Sequence, residues 1–395
     1  MRHYLDHAAT TPLRPESRDE WLRVASNVGN PSSIHESGQA ARRELEDARE
    51  RLAATLDCDP IEVVLTSGGT EAVNLALKGL WWARDPGSDS IVLPDGEHHA
   101  TLDAVEWLRT REQADVRPVA LDEVGRIREA AFVDALESAA CATALAANNE
   151  VGTVNDVAGL AGRAASSGVP LHIDAIAAFG HVPVSFRGWR GDARAHDGLV
   201  AMSVSAHKIG GPAGTGALVV SRHARLTPLL HGGGQQRGLR AGTQDAAGAA
   251  AFAVAAELAV AEREAEAERL RGLRERMVAA LRERVDGIEM LGDPHARIPG
   301  NVHLWIPGAL GETLLFLLDQ AQVSVSTGSA CQAGVPEPSH VVMALGRDDA
   351  QARQVLRVSL GVTSTDDDVD AFVAALPAAV ERARAASGPR PGVRS

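Results

Sequence analysis

Between Ile61 and Val220, short apolar runs alternate with longer amphipathic segments, and this alternation limits the chain to few folds. Runs of four to eight apolar residues separated by helical patterns describe a mostly parallel sheet with helices on its faces. The pattern places strands near 61–66, 90–94, 115–121, 141–147, 169–174, 199–205 and 215–221. Helices fall near 70–83, 99–112, 129–139 and 156–167, and residues 185–197 read as a loop insertion. The first thirty residues read as extended and turn-rich, followed by a helix from about His35 to Leu56.

A Gly-rich stretch, His231 to Thr243, interrupts the alternation, and an Ala/Glu/Arg helix over about 246–284 follows it. The remainder reads as a smaller α+β unit, with strands near 301–305, 322–326 and 355–360 and helices near 311–320, 339–345 and 366–386. The fold class is therefore α/β. The expected organisation is a large cofactor-binding domain over 1–250, with residues 1–20 free to pack on the small domain. A linking helix and small domain follow over 251–386, then a disordered tail over 387–395.

A formal charge of −13 argues against direct binding to nucleic acid or an anionic membrane. The N-terminus lacks an apolar signal region and no apolar run reaches the roughly 18 residues of a membrane span, so the expected location is the cytoplasm. Three cysteines make no disulfide framework and have no metal-ligand spacing, so no metal is expected. Cys58 and Cys141 read as buried thiols, whereas Cys331 lies in a run of small residues, Ser326 to Pro336, and suits a mobile nucleophile. An incidental loop cysteine is the alternative.

The chemistry concentrates at strand ends. Lys208 follows the apolar run Leu199–Val204, and Asp174 ends the run Val169–Asp174. Ligands of open α/β sheets bind outside such carboxyl ends. A lysine that captures an aldehyde and an aspartate that pairs with a pyridinium nitrogen are what pyridoxal phosphate requires. A direct Asp174–Lys208 ion pair is the plainer alternative, but Ser205 and His207 beside Lys208 add phosphate donors. Ser67-Gly68-Gly69-Thr70 follows a strand and opens a helix, which makes an anion site or a simple N-cap. His98 can stack on a planar ring or cap a helix, and Asn148-Asn149 can bind a carboxylate or ring oxygen or merely turn the chain. Arg357, alone on the apolar strand Val355–Leu360, seeks a carboxylate or phosphate, from a ligand or from a structural ion pair.

Taken in order, several motifs resemble those of the cysteine desulfurases, pyridoxal-phosphate enzymes of the class V aminotransferase group. The motifs run from Tyr4–Pro12 through Gly29–Ser33, Thr66–Glu71, Glu97-His98, Asn148–Gly152, His172–Asp174, Ser205–Lys208, Arg240–Thr243 and Ser326–Cys331 to Leu356–Gly361. They cover nearly the whole chain. The stretch from Cys331 to Pro338 is similar to the longer cysteine loop of the housekeeping subgroup.

This resemblance implies a type I pyridoxal-phosphate fold, a homodimer, L-cysteine as substrate and a sulfur-acceptor protein as partner. Lys208 takes the place of the Schiff-base lysine and mobile base, Asp174 of the ring-nitrogen partner, and His98 of the ring-stacking histidine and acid/base. Gly69, Thr70, Ser205 and His207 stand at the phosphate-binding positions, with Thr243 supplied across a dimer interface. Asn149 serves cofactor and substrate; Arg357 and Asn30 stand at further substrate positions, and Cys331 at that of the persulfide-forming nucleophile. Two departures stand out: Ala206 replaces the usual glycine, and Ala177 replaces a glutamine that donates to the ring oxygen. Loss of that donor implies a slower or spectrally shifted enzyme. Selenocysteine lyase, transaminase, or a degenerate scaffold in a sulfur-transfer complex are the competing functions.

Overall fold

The computed structural model describes residues 2–193, 196–328 and 337–387. Cys331 and the tail from 388 onward lie outside the described residues. A seven-stranded sheet forms the larger layer, in the order Val63–Thr66, Gly216–Val220, Gly198–Ser205, Pro170–Asp174, Cys141–Leu145, Ser90–Pro94, Asp115–Val119. Only Gly216–Val220 runs antiparallel to its neighbours. Its central strands are buried throughout, which is why they read as unbroken apolar runs.

Both faces of this sheet are covered. One packs Val64, Val200 and Leu218 against Leu77, Leu80 and Trp81 of the helix Gly69–Trp82. The other packs Leu171, Ile173 and Met202 against helices that include Glu36–Leu56 and Val157–Ser166.

The helix Ala246–Arg284 joins the two cores. Asp245 caps it by accepting from the Gly248 amide at 2.9 Å. Its first half buries Phe252 and a series of alanines in the large core; its second half buries Leu270, Leu273, Met277 and Leu281 in a separate small core. That small core underlies a three-stranded antiparallel sheet in the order Val355–Ser359, Asn301–Trp305, Glu289–Leu291. Helices Gly311–Gln320 and Asp366–Ser387 flank it.

Three local expectations change. Residues 15–25 are helical, not extended: Pro15 starts the helix with φ already fixed, and Ser17 Oγ donates to the Ala251 carbonyl at 2.8 Å. The 185–197 stretch contains a short helix, Phe186–Arg190, capped by Ser185. Only Val323–Ser324 of the 322–326 strand pairs continuously, in parallel with His3–Tyr4; Ser326 makes an isolated bridge to Arg357.

Gly152 turns the chain where the two layers meet. Its φ is +82°, and a Cβ there would lie 2.6 Å from Asn301 Oδ1, whose amide nitrogen donates to the Glu150 carbonyl. Gly152→Ala should therefore lower unfolding stability by about 1–3 kcal/mol in a denaturant titration, the usual range for such backbone strain. An unchanged midpoint would contradict this account of the junction.

Candidate active site

The strand ends converge on a cavity of about 330 Å³. Asp174, Lys208, Thr70, Ser205, His98, Asn149 and Arg357 are among the residues that line it. Small residues let the backbone come close. A Cβ on Gly69 would lie 2.3 Å from the Ile176 side chain, so the start of the helix Gly69–Trp82 packs directly beside the strand that carries Asp174.

Asp174 is 2% exposed and its Oδ1 accepts from the Ile176 amide at 2.9 Å. Burial raises its pKa to about 6, against lesser opposing effects of that hydrogen bond and Lys208. Beneath it, His172 is fully buried between Thr143 Oγ1 at 3.0 Å and Ser203 Oγ at 2.8 Å. Burial lowers His172 to about 3, so this layer supplies hydrogen bonds without positive charge. Glu97 is also buried; desolvation first, then Asp174, push its pKa well above the ordinary range. Its Oε1 accepts from the Leu145 amide at 2.8 Å, which opposes that rise.

Lys208 Nζ donates to the Ala8 and Ala9 carbonyls, the latter at 2.9 Å. His98 caps the helix His99–Glu112 by accepting at Nδ1 from the Ala100 amide at 3.1 Å, which leaves the ring proton on Nε2. Burial, then Lys208, lowers His98 to about 4, so the ring is neutral at pH 7. His207 is lowered to about 4 by the same two causes in the same order. Arg357 donates to Asp6 Oδ1 at 2.9 Å and to the Asn149 carbonyl at 3.0 Å.

Pyridoxal phosphate fits this set. Ser205 Oγ is buried without a protein partner and lines the cavity beside the glycine-led helix start, as a phosphate ligand requires. An aldehyde and a protonatable ring nitrogen match Lys208, just past the strand Gly198–Ser205, and Asp174 at the end of the neighbouring strand.

The class V aminotransferase family model matches residues 3–372. The chain belongs to that family. The IscS-like cysteine desulfurase of Mycobacterium tuberculosis is 46% identical over 393 residues, covering 97% of this chain and 98% of its own. Among solved structures, a NifS-like protein superposes with a TM-score of 0.88 at 29% identity, covering 97% of this chain and 100% of that one. A structure described as SspA in complex with cysteine gives 0.78 at 28%, covering 91% and 99%.

The structure brings together Gly69, Thr70, His98, Asn149, Asp174, Ser205, His207, Lys208 and Arg357. The plainer alternatives also hold in part: His98 is a helix cap, Asn148 braces its own turn through the Glu150 and Val151 amides, and Arg357 is in an ion pair. Asn30 and Thr243 are exposed and outside this cavity. Cys58 and Cys141 are free and buried, and burial lifts Cys141 to about 12. Ala177 lines the cavity at the departure noted above, and Ala206 is fully buried. Residue reading missed Asp6 and the Ala8 and Ala9 carbonyls; their one signal was the motif Tyr4–Pro12, which had no role attached.

A carboxyl whose folded pKa exceeds its unfolded value binds its proton more tightly when native. Its stabilising contribution is thus present below about 3.8 and lost as pH rises toward 6. Asp174→Asn should accordingly raise the melting temperature of cofactor-free protein at pH 7.5 while weakening cofactor retention. A lower melting temperature would contradict the assigned burial cost.

Proposed function

We propose that this protein is a pyridoxal-phosphate-dependent cysteine desulfurase, a transferase that converts L-cysteine to L-alanine and passes the sulfur to an acceptor protein. The observation that carries the reading is the placement of Lys208 and Asp174 at adjacent strand ends of one cavity, facing Arg357 from the second sheet. The family relatives named cysteine desulfurase support it.

When bound, the cofactor supplies an electron sink for the carbon skeleton of the substrate. Lys208 would hold its aldehyde and then move the substrate's α-proton. Asp174, almost fully buried, would pair with the ring nitrogen and keep it protonated. Neutral His98 would pack on the ring and could exchange a proton through Nε2. Gly69, Thr70, Ser205 and His207 would hold the phosphate. Arg357, with Asn149, takes the substrate carboxylate, fixing which end of the amino acid faces Lys208.

Cys331, outside the described residues, is the proposed nucleophile. Its thiolate attacks the substrate sulfur; the carbon–sulfur bond breaks, a sulfur–sulfur bond forms, and the carbon gains a proton to give alanine. The net change is balanced: cysteine and an enzyme thiol become alanine and an enzyme persulfide, which is handed to an acceptor. Iron–sulfur cluster assembly, tRNA thiolation and DNA sulfur modification are the pathways such a persulfide serves. Thr243, outside the cavity of its own chain, is proposed to serve the phosphate site of a second copy in a homodimer. Asn30 is assigned a weaker contact with substrate. The cytoplasm is the proposed setting, where a nucleophilic thiol stays reduced. Among the described residues no helix is long and apolar enough to cross a membrane.

Cys331 distinguishes this activity from transamination, which has no need of a thiol. Cys331→Ser should abolish sulfide release and alanine formation from L-cysteine while the purified protein keeps its cofactor absorption band. Sustained alanine production by that variant would remove Cys331 from the mechanism.

A further inference from the structure

The segment Tyr4–Thr11 has no part in the chemistry assigned above, yet it crosses the cavity. Its first half is stitched to the small domain: the Leu5 amide donates to the Ser324 carbonyl at 2.9 Å, the Ser359 amide to the Leu5 carbonyl at 2.8 Å, and the Ala8 amide to Ser359 Oγ at 2.9 Å. Its end is tied to the large domain, where the Thr11 amide donates to the His207 carbonyl at 2.9 Å. Tyr4 adds an internal brace, its hydroxyl donating to the Thr10 carbonyl at 2.9 Å. The segment is a strap with both ends fixed.

Three acceptors on this strap meet Arg357 and Lys208 in the cavity. Asp6 Oδ1 accepts from Arg357 Nη2 at 2.9 Å, and the Ala8 and Ala9 carbonyls accept from Lys208 Nζ. Among the described residues, Asp6 is the one carboxylate within ion-pair distance of Arg357, which is 4% exposed. The Asn149 carbonyl holds the other terminal nitrogen, so the guanidinium plane is fixed at two points from different elements. Nε remains buried without a protein partner, and Arg357 lines the cavity. A planar fork pinned through one proton of each terminal nitrogen keeps its remaining donors in a fixed array.

We infer that Asp6 is the positioning residue of Arg357: the strap pre-orients the guanidinium so that its remaining donors meet an α-amino acid carboxylate without reorganisation. The inference rests on the reading of Arg357 as the carboxylate binder. Asp6 acts through Arg357 and takes no part in proton or sulfur transfer. Orientation fixed before binding lowers the cost of binding, so its loss falls on KM and leaves kcat in place.

The test compares wild type with Asp6→Ala and Asp6→Asn in the full-length holoenzyme. Losing a hydrogen bond to a charged group typically weakens binding by about tenfold or more. Asp6→Ala should therefore raise KM for L-cysteine about tenfold with kcat within about twofold. Asp6→Asn keeps an acceptor oxygen in place and should return KM to the wild-type value or below it. L-cysteinamide, which lacks the carboxylate, should show no difference among the three proteins. Calorimetric binding of L-alanine and L-alaninamide repeats the comparison without turnover: the Kd for alanine should rise in Asp6→Ala and that for the amide should not. A wild type that binds L-alanine but makes no alanine from L-cysteine would refute the desulfurase and leave the Asp6 comparison intact. Equal changes for acid and amide, a failure of Asp6→Asn to restore KM, or no carboxylate-dependent binding at all would overturn the inference.

Discussion

Burying a carboxylate almost completely at the wall of a cavity is the constraint around which this structure is arranged. Asp174 lies at the end of a strand with both faces covered, and ionising it there is unfavourable unless a cation arrives. Around it, the Ile176 amide and the Lys208 charge favour ionisation, but by less than burial opposes it. His172 is a neutral hydrogen-bonded histidine, burial pushes the Glu97 carboxyl well above its ordinary pKa, and Lys208 is engaged by backbone carbonyls. The site is thus prepared for a cationic ring from outside, and its cost in stability is the counterpart of its chemistry.

The two layers are held in register by long-range ties. The helix Ala246–Arg284 contributes to both cores, and the N-terminal strap joins the small sheet to the loop carrying Lys208. Arg357 reaches the cavity from the small domain, while Lys208 and Asp174 reach it from the large one. Relative movement of the layers would change the distance between Arg357 and Lys208. The strap is hydrogen-bonded to both sides close to these two residues.

The sheet was legible in the sequence because its strands are buried on both faces, so each reads as an apolar run with sharp ends. The groups just past those ends, Lys208, Asp174 and Thr70 among them, were legible for the same reason: a polar residue after such a run must face the cavity or find a partner. The helix 15–25 was not legible, because it buries only Ser17 and Val24 and owes its place to contact with the Ala246–Arg284 helix. The strand Glu289–Leu291 is three residues long and forms only through pairing with Asn301–Trp305. The Asp6–Arg357 pair joins residues 351 positions apart, and no local pattern announces it. The raised pKa of Glu97 likewise depends on packing that buries it beside Asp174, against the opposing hydrogen bond from the Leu145 amide.

The central claim is that Lys208 holds the cofactor's aldehyde, and the chain makes it easy to test because it contains only two lysines, Lys78 and Lys208. Lys78 lies on a helix with its amine 4.4 Å from the Trp107 ring, outside the cavity. The measurement is reduction of the holoenzyme with borohydride, followed by proteolysis and mass mapping of the pyridoxyl group. The account predicts the group on Lys208 alone. A modified Lys78, or a cofactor that reduction leaves unattached to either lysine, would contradict it.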